Sequence, residues 1–142
     1  MLKINFYKLN TLDESKLKFA VIACKYKKKW IYVKHKQRTT WEIPGGHKEK
    51  DESINSAAKR ELYEETGAEK FDLYPICIYS VDRENNKSYG QLYYADIYTF
   101  KLLPDYEIEK IEFFDSMPPN LTYPLIQPSL LKELQKYKTI VK

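Results

Sequence analysis

The sequence predicts an α/β fold, a mixed β-sheet with helices packed on its faces. Two observations carry this: segments of strand character outnumber helical ones, and one helical segment lies between strands rather than after them. A third sets the scale. The 142 residues are 43% hydrophobic and 31% charged, enough for a packed core under a solvated surface in one domain, residues 1–142, and too apolar for a disordered chain.

Ile4 to Leu9 alternates apolar and polar residues, as a strand does. Leu17 to Tyr26 reads as a buried strand, Lys27-Lys28-Lys29 as a charged turn, and Trp30 to His35 as its hairpin partner. Trp41-Glu42-Ile43 is a short extended piece that Pro44-Gly45-Gly46 should stop, because proline has no N–H to pair and glycine permits unusual backbone angles. Helical character runs from Ser53 to Thr66, with Asp51 or Ser53 as N-cap and Gly67 as a left-handed C-terminal stop. Phe71 to Val81 and Gln91 to Leu102, rich in Tyr, Ile and Phe, predict long strands around a polar turn at 84–88. Ile108 to Phe114 adds a strand that Pro118-Pro119-Asn120 ends. Leu125 to Tyr137 closes the chain as a helix, with Ile126, Leu130, Leu131 and Leu134 on one face.

No stretch approaches the roughly 20 apolar residues that a membrane helix needs, and the start does not resemble a signal peptide, so a soluble, cytoplasmic protein is expected, as monomer or homodimer. Cys24 and Cys77 stand singly in apolar runs and read as reduced core residues. The net charge of +4 conceals an asymmetry: residues 1–48 carry 12 Lys/Arg against 3 Asp/Glu, residues 49–142 carry 12 against 17. A basic half joined to an acidic half suits a polyanion held partly by Lys/Arg and partly through divalent metal on carboxylates. No basic helix appears, and no stable nucleic-acid partner is expected.

On a helical wheel of residues 53–66, Ile54, Ala57, Ala58 and Leu62 form an apolar stripe, and Glu61 and Glu65 fall inside it with Glu64 at its margin. Burying unpaired carboxylates is costly, so something positive must meet them. A divalent ion is the economical answer, since Mg²⁺ takes one or two carboxylates and completes its shell with phosphate and water. Arg60 could hold one carboxylate while pairing with Glu52. The bland alternative is a solvated helix whose glutamates are neutralised by Lys59 and Arg60.

The spacing favours the first. Gly46, five residues, Glu52, seven residues, Arg60-Glu61-Leu62, one residue, Glu64-Glu65, one residue, Gly67-Ala68 resembles the Nudix box at every defined position. The resemblance implies an α/β/α sandwich that hydrolyses a nucleoside diphosphate linked to another group, using Mg²⁺, or Mn²⁺, and an activated water. By position, Glu64 and Glu65 resemble metal ligands, with the Gly45 carbonyl contributing. Glu61 resembles a further ligand or the base, and Arg60 with Glu52 the supporting ion pair.

Beyond the box the likeness is to MutT-like nucleoside triphosphate hydrolases, including bacterial 8-oxo-dGTP diphosphatases. No proline falls where the ADP-ribose subfamilies carry one, and no coenzyme A or NADH signature is present. In MutT-like enzymes a late-loop glutamate completes the metal site; Glu107 is comparable here, with Glu109 and Glu112 as competitors. There too an asparagine after a proline pair contacts the base, as Asn120 would. With Asn120, the expected substrate contacts are Gly46 and Arg38, chosen over Lys34, His35 and Lys36 because a guanidinium grips phosphate bidentately. His35 and His47 have no partner at metal spacing and receive no ligand role. ADP-ribose, a dinucleoside polyphosphate or a 5′-capped RNA end remain alternative substrates, and a non-catalytic nucleotide sensor the alternative class.

Overall fold

The structure, a computed structural model, describes residues 1–141. Within them, β1 (Leu2–Tyr7), β2 (Leu17–Tyr26), β3 (Lys29–His35) and β4 (Gly45–His47) precede α1 (Ile54–Thr66). Then come β5 (Ala68–Arg83), β6 (Asn86–Phe100), β7 (Ile108–Phe114) and α2 (Gln127–Leu134). The strands form one sheet in the order β1-β5-β6-β2-β3-β7, with β4 paired to β2. It is mixed, because β2 and β6 run parallel while the other neighbours are antiparallel. No helix among the described residues is long and apolar enough to cross a membrane.

Alternation along the central strands builds two apolar layers. Ala20, Ile22 and Cys24 on β2, with Tyr93, Ala95 and Ile97 on β6, face α1 through Ile54, Ala57, Ala58 and Leu62. Ala23, Leu92 and Tyr94 face the other way, against Leu130 and Leu134 of α2. The result is the α/β/α sandwich. Cys24 and Cys77 are free thiols buried in these layers.

Local signals set the ends of α1. The Ser53 hydroxyl accepts from the Ser56 N–H at 3.0 Å, and Gly67, at φ 77°, donates its N–H to the Tyr63 carbonyl at 2.8 Å. Asp51 lies in the preceding turn and does not cap. The β5–β6 hairpin is tighter than the expected turn at 84–88: pairing continues to Arg83↔Asn86, and Lys87 reaches Asp82 across the strands at 3.5 Å. The closing helix is shorter than 125–137, with Pro128 in its first turn.

One expectation is overturned. Pro44-Gly45-Gly46 does not stop pairing, since Gly45, Gly46 and His47 pair antiparallel with Val21, Ala20 and Phe19. Neither glycine has a positive φ. What matters at Gly45 is the missing Cβ, which would lie 2.5 Å from the Ala20 carbonyl oxygen and 3.0 Å from the Val21 Cα. Because β6 occupies one edge of β2, its other edge is shared: β3 pairs only at Lys25 and Tyr26, and β4 takes residues 19–21. That split brings the Gly45–His47 segment against α1.

Candidate active site

Helix α1 presents Glu61, Glu64 and Glu65 to β4. Arg60 organises them from the helix itself. Its Nε and Nη2 donate to the two oxygens of Glu52 at 2.7 and 3.0 Å, its Nη1 donates to Glu61 Oε1 at 2.7 Å and Glu64 Oε1 at 3.5 Å, and Nη2 also donates to the His47 carbonyl at 3.1 Å. The guanidinium therefore clips the turn before α1 to its middle and fixes one oxygen of Glu61. Glu52, hydrogen-bonded by Arg60, is held below the usual carboxylate range.

Glu65 is 6% exposed, and its Oε1 accepts the Gly45 N–H at 3.0 Å. Thus Gly45 reaches the cluster through its N–H. Among the described residues Glu65 Oε2 has no comparable donor, and His35 Nε2 lies 4.0 Å from it. His35 Nε2 lies 3.5 Å from Glu42 Oε2, and its Nδ1 lies 3.9 Å from Glu107 Oε2. His35, Glu65 and Glu107 form a group able to hold a metal ion. A histidine to which the sequence assigned no ligand role therefore sits among the carboxylates. Its partners come from segments 30 and 72 residues away, a distance that no local spacing reveals.

The electrostatics are unbalanced. Burial, followed by the neighbouring Glu61, Glu42 and Glu107 carboxylates, pushes Glu65 up to about 9 against the lowering effect of the Gly45 N–H. Burial pushes Glu61 up to about 7, with Arg60 opposing and Glu64 and Glu107 adding. Arg60 reaches Glu61 and Glu64 as well as Glu52, but among the described residues no Lys or Arg pairs with Glu65 or Glu107. Hard oxygen donors with surplus negative charge fit Mg²⁺ or Mn²⁺.

Two cavities meet at this cluster. One, about 440 Å³, is lined by Glu61, Glu64, Glu65 and Glu107 together with Arg38 and His35. The other, about 280 Å³, is walled mainly by apolar side chains, including Val21, Ile43, Val81, Ile126 and Leu130. They share Glu42, Gly45, Gly46, His47 and Tyr123. Together they form one site with an acidic end and a mainly apolar end.

The remaining candidates separate clearly. Glu107 reaches the cluster, whereas Glu109 accepts from Lys34 Nζ at 2.7 Å and Glu112 is exposed on β7, opposite Tyr32. Lys34 also donates to the Arg38 carbonyl at 2.8 Å and Lys36 pairs with Asp105, so neither lines a cavity. Arg38 does, with Nη1 donating to Glu42 Oε1 at 3.1 Å and its guanidinium 5.9 Å from the Tyr123 ring centroid. Asn120 lines neither cavity; its side chain is exposed and its carbonyl accepts the Trp41 N–H at 2.7 Å. Two further buried polar residues line the apolar cavity, Glu42 and Gln127. The first did carry a signal, a charge between Trp41 and Ile43 in an extended segment.

Gly46 has its own test. A Cβ there would collide with the carboxylate of Glu61, a movable side-chain end, and would touch no backbone within the same range. The Gly46→Ala variant is expected to fold with a melting temperature near that of the parent while losing most turnover. Parallel thermal melts and rate measurements check this, and a fully active variant would remove Glu61 from the chemistry.

A family model for the NUDIX domain matches residues 15–128, most of the chain. The chain belongs to the Nudix family. Its box is the β4–α1 unit, and the acidic cavity is the face of that unit turned toward β3 and β7. Among curated proteins, this Nudix chain is 33% identical over 102 residues to the Bacillus subtilis (strain 168) protein named "Putative 8-oxo-dGTP diphosphatase YtkD". The match takes in 71% of this chain and 64% of that protein, so the chain spans less than two thirds of its relative's length. Among solved structures it is similar to the Bacillus subtilis pyrophosphohydrolase BsRppH, with a TM-score of 0.78 and 25% identity over 96% of this chain and 90% of that one. A UDP-X diphosphatase shares the fold at a TM-score of 0.73 and 18% identity, covering 95% of this chain and 68% of that one.

Proposed function

We propose that this Nudix domain hydrolyses a nucleoside triphosphate, 8-oxo-dGTP or a related nucleotide, to the nucleoside monophosphate and diphosphate, with Mg²⁺ or Mn²⁺ as cofactor. The observation that carries this reading is the junction at Gly45-Gly46-His47, which joins a carboxylate-lined cavity to an apolar one. A divalent ion bound there neutralises phosphate charge and acidifies water. Glu64, Glu65 and Glu107, with the Gly45 carbonyl, would be the oxygen donors for it, which leaves Glu61 to the attacking water. Arg60 keeps Glu61 and Glu64 aligned and Glu52 keeps Arg60 extended. Arg38 meets a terminal phosphate, and the backbone at Gly46 lets the phosphate chain pass close to the sheet.

In the reaction a water oxygen bonds to phosphorus, the bridging P–O bond breaks, and the diphosphate leaves with the electron pair. Glu61 takes the water's proton. Its one oxygen tied to Arg60 leaves the other to accept. The likeness to YtkD supports an oxidised guanine nucleotide as substrate. The buried free thiols suit a reducing compartment such as the cytoplasm.

The test is incubation with ATP, GTP, dGTP and 8-oxo-dGTP in Mg²⁺, Mn²⁺ or EDTA, with products resolved by anion exchange. Equimolar monophosphate and diphosphate, formed only with metal, is the expected result. Absence of metal-dependent cleavage of every triphosphate sinks the reading, and turnover of ADP-ribose or a dinucleoside polyphosphate alone would replace the substrate.

A further inference from the structure

We propose that Gln127 reads the base and makes the site selective for 6-oxopurine nucleotides over adenine nucleotides, by offering the apolar cavity a hydrogen-bond donor that cannot turn into an acceptor. This rests on the reading that the phosphates lie at the carboxylate cluster. Gln127 is the first residue of α2, 5% exposed, and lines the apolar cavity. Its Oε1 accepts the Ile43 N–H at 3.0 Å. Ile43 sits between Glu42, whose backbone pairs with Val33, and Pro44, whose carbonyl accepts the Ile22 N–H, so that N–H is held by the sheet.

A free glutamine amide can rotate by half a turn and exchange donor for acceptor. Here rotation would set two donors face to face and leave the buried Ile43 N–H unpaired, which the interior disfavours. The amide is therefore locked. Its nitrogen has no protein acceptor among the described residues and is not sealed from the cavity.

Most of the wall around it is apolar. Its other polar side chains are Glu42, His47 and Tyr123 at the junction, Tyr79 on β5, and Arg83 and Ser88 on the hairpin. A base entering the cavity meets a fixed N–H₂ set in hydrocarbon. Guanine, its 8-oxo form and hypoxanthine carry an acceptor, O6, at the purine 6-position, whereas adenine carries the N6 amino donor there. With the 6-position turned to Gln127, the locked donor satisfies the first and leaves the second with donor against donor. A site built around one such bond discriminates strongly against a ligand that cannot make it.

The substitution Gln127→Glu tests the polarity directly. One carboxylate oxygen can still accept from Ile43, while the other puts an acceptor where the donor stood. Gln127→Met keeps the length and removes both. The parent should favour GTP and ITP over ATP in kcat/KM by at least tenfold, Gln127→Met should bring the ratio to within about threefold of unity, and Gln127→Glu should invert it. Titration of GMP and AMP in EDTA, read by intrinsic fluorescence, asks the same question without turnover. If no triphosphate is cleaved yet GMP outbinds AMP in the parent and not in Gln127→Met, the base assignment stands and the triphosphate reading falls. If triphosphates are cleaved but the guanine-to-adenine ratio is the same in the parent and in Gln127→Met, the base assignment is overturned. Should Gln127→Glu fail to fold by circular dichroism, Gln127→Met alone decides.

Discussion

Replacing Glu65 by glutamine is expected to stabilise the metal-free protein while abolishing its activity. The Glu65 carboxyl is buried, and burial with three nearby carboxylates pushes its pKa up to about 9, so at neutral pH the metal-free fold must hold a proton there that the unfolded chain has released, which costs stability. Glutamine keeps the size and the acceptor for the Gly45 N–H and needs no proton to be neutral. Without metal at pH 8 the melting temperature should rise by about 5–10 °C, the shift given by a gain of roughly 2 kcal/mol in a domain of this size. Turnover should fall by at least ~100-fold, since outer partners of metal ligands alone are worth 10–100-fold. Differential scanning fluorimetry in EDTA and diphosphate release in Mg²⁺ read the two effects. A variant that is both destabilised without metal and active would show that Glu65 is a structural residue.

The second large effect is a pH dependence that only the metal-free protein should show. Glu61 and Glu65 both have folded-state pKa values raised above the ordinary carboxylate value of 4.5, to about 7 and about 9. The folded state thus binds protons more tightly than the unfolded chain. Their favourable contribution is complete below about pH 4.5 and is lost as pH rises, for Glu61 by about 7 and for Glu65 by about 9. Melting temperature in EDTA should accordingly fall between pH 5 and pH 9. Mg²⁺ or Mn²⁺ binds the deprotonated cluster of the folded state, so its stabilisation should be largest at the alkaline end and small near pH 5, where protons compete. Melts at pH 5, 7 and 9 with and without metal check this. A metal effect independent of pH would place the ion elsewhere, and Glu65→Gln should flatten the upper half of the EDTA profile.

These effects trace back to information of two kinds. The strand boundaries of β2 and β7, the caps of α1 and its carboxylates on an apolar stripe were legible because each rests on neighbours within a turn or a strand period. Gly45-Gly46 was legible as a special site, but for the wrong reason. The sequence suggests unusual dihedrals there, whereas the glycines serve close approach, Gly45 to the backbone of β2 and Gly46 to the Glu61 carboxylate. Nothing local distinguishes the two uses, because a missing side chain looks the same in both.

By itself, then, the sequence determined the acidic helix: a box whose spacing puts Arg60, Glu61, Glu64 and Glu65 on one side of thirteen helical residues, by the geometry of the helix alone. It also determined the layered α/β class, through the two periodicities of its segments. Only the tertiary structure decided what completes the site. A bulge between Lys34 and His35 in the β3–β7 pairing accompanies Glu107 at the cluster and Glu109 on Lys34, and the hydrogen bond from Ile43 to the start of α2 turned Gln127 into a fixed donor over an apolar cavity. Those contacts join residues 72 and 84 positions apart. The register that makes them is set by packing across the sheet, which a local reading of a chain does not contain.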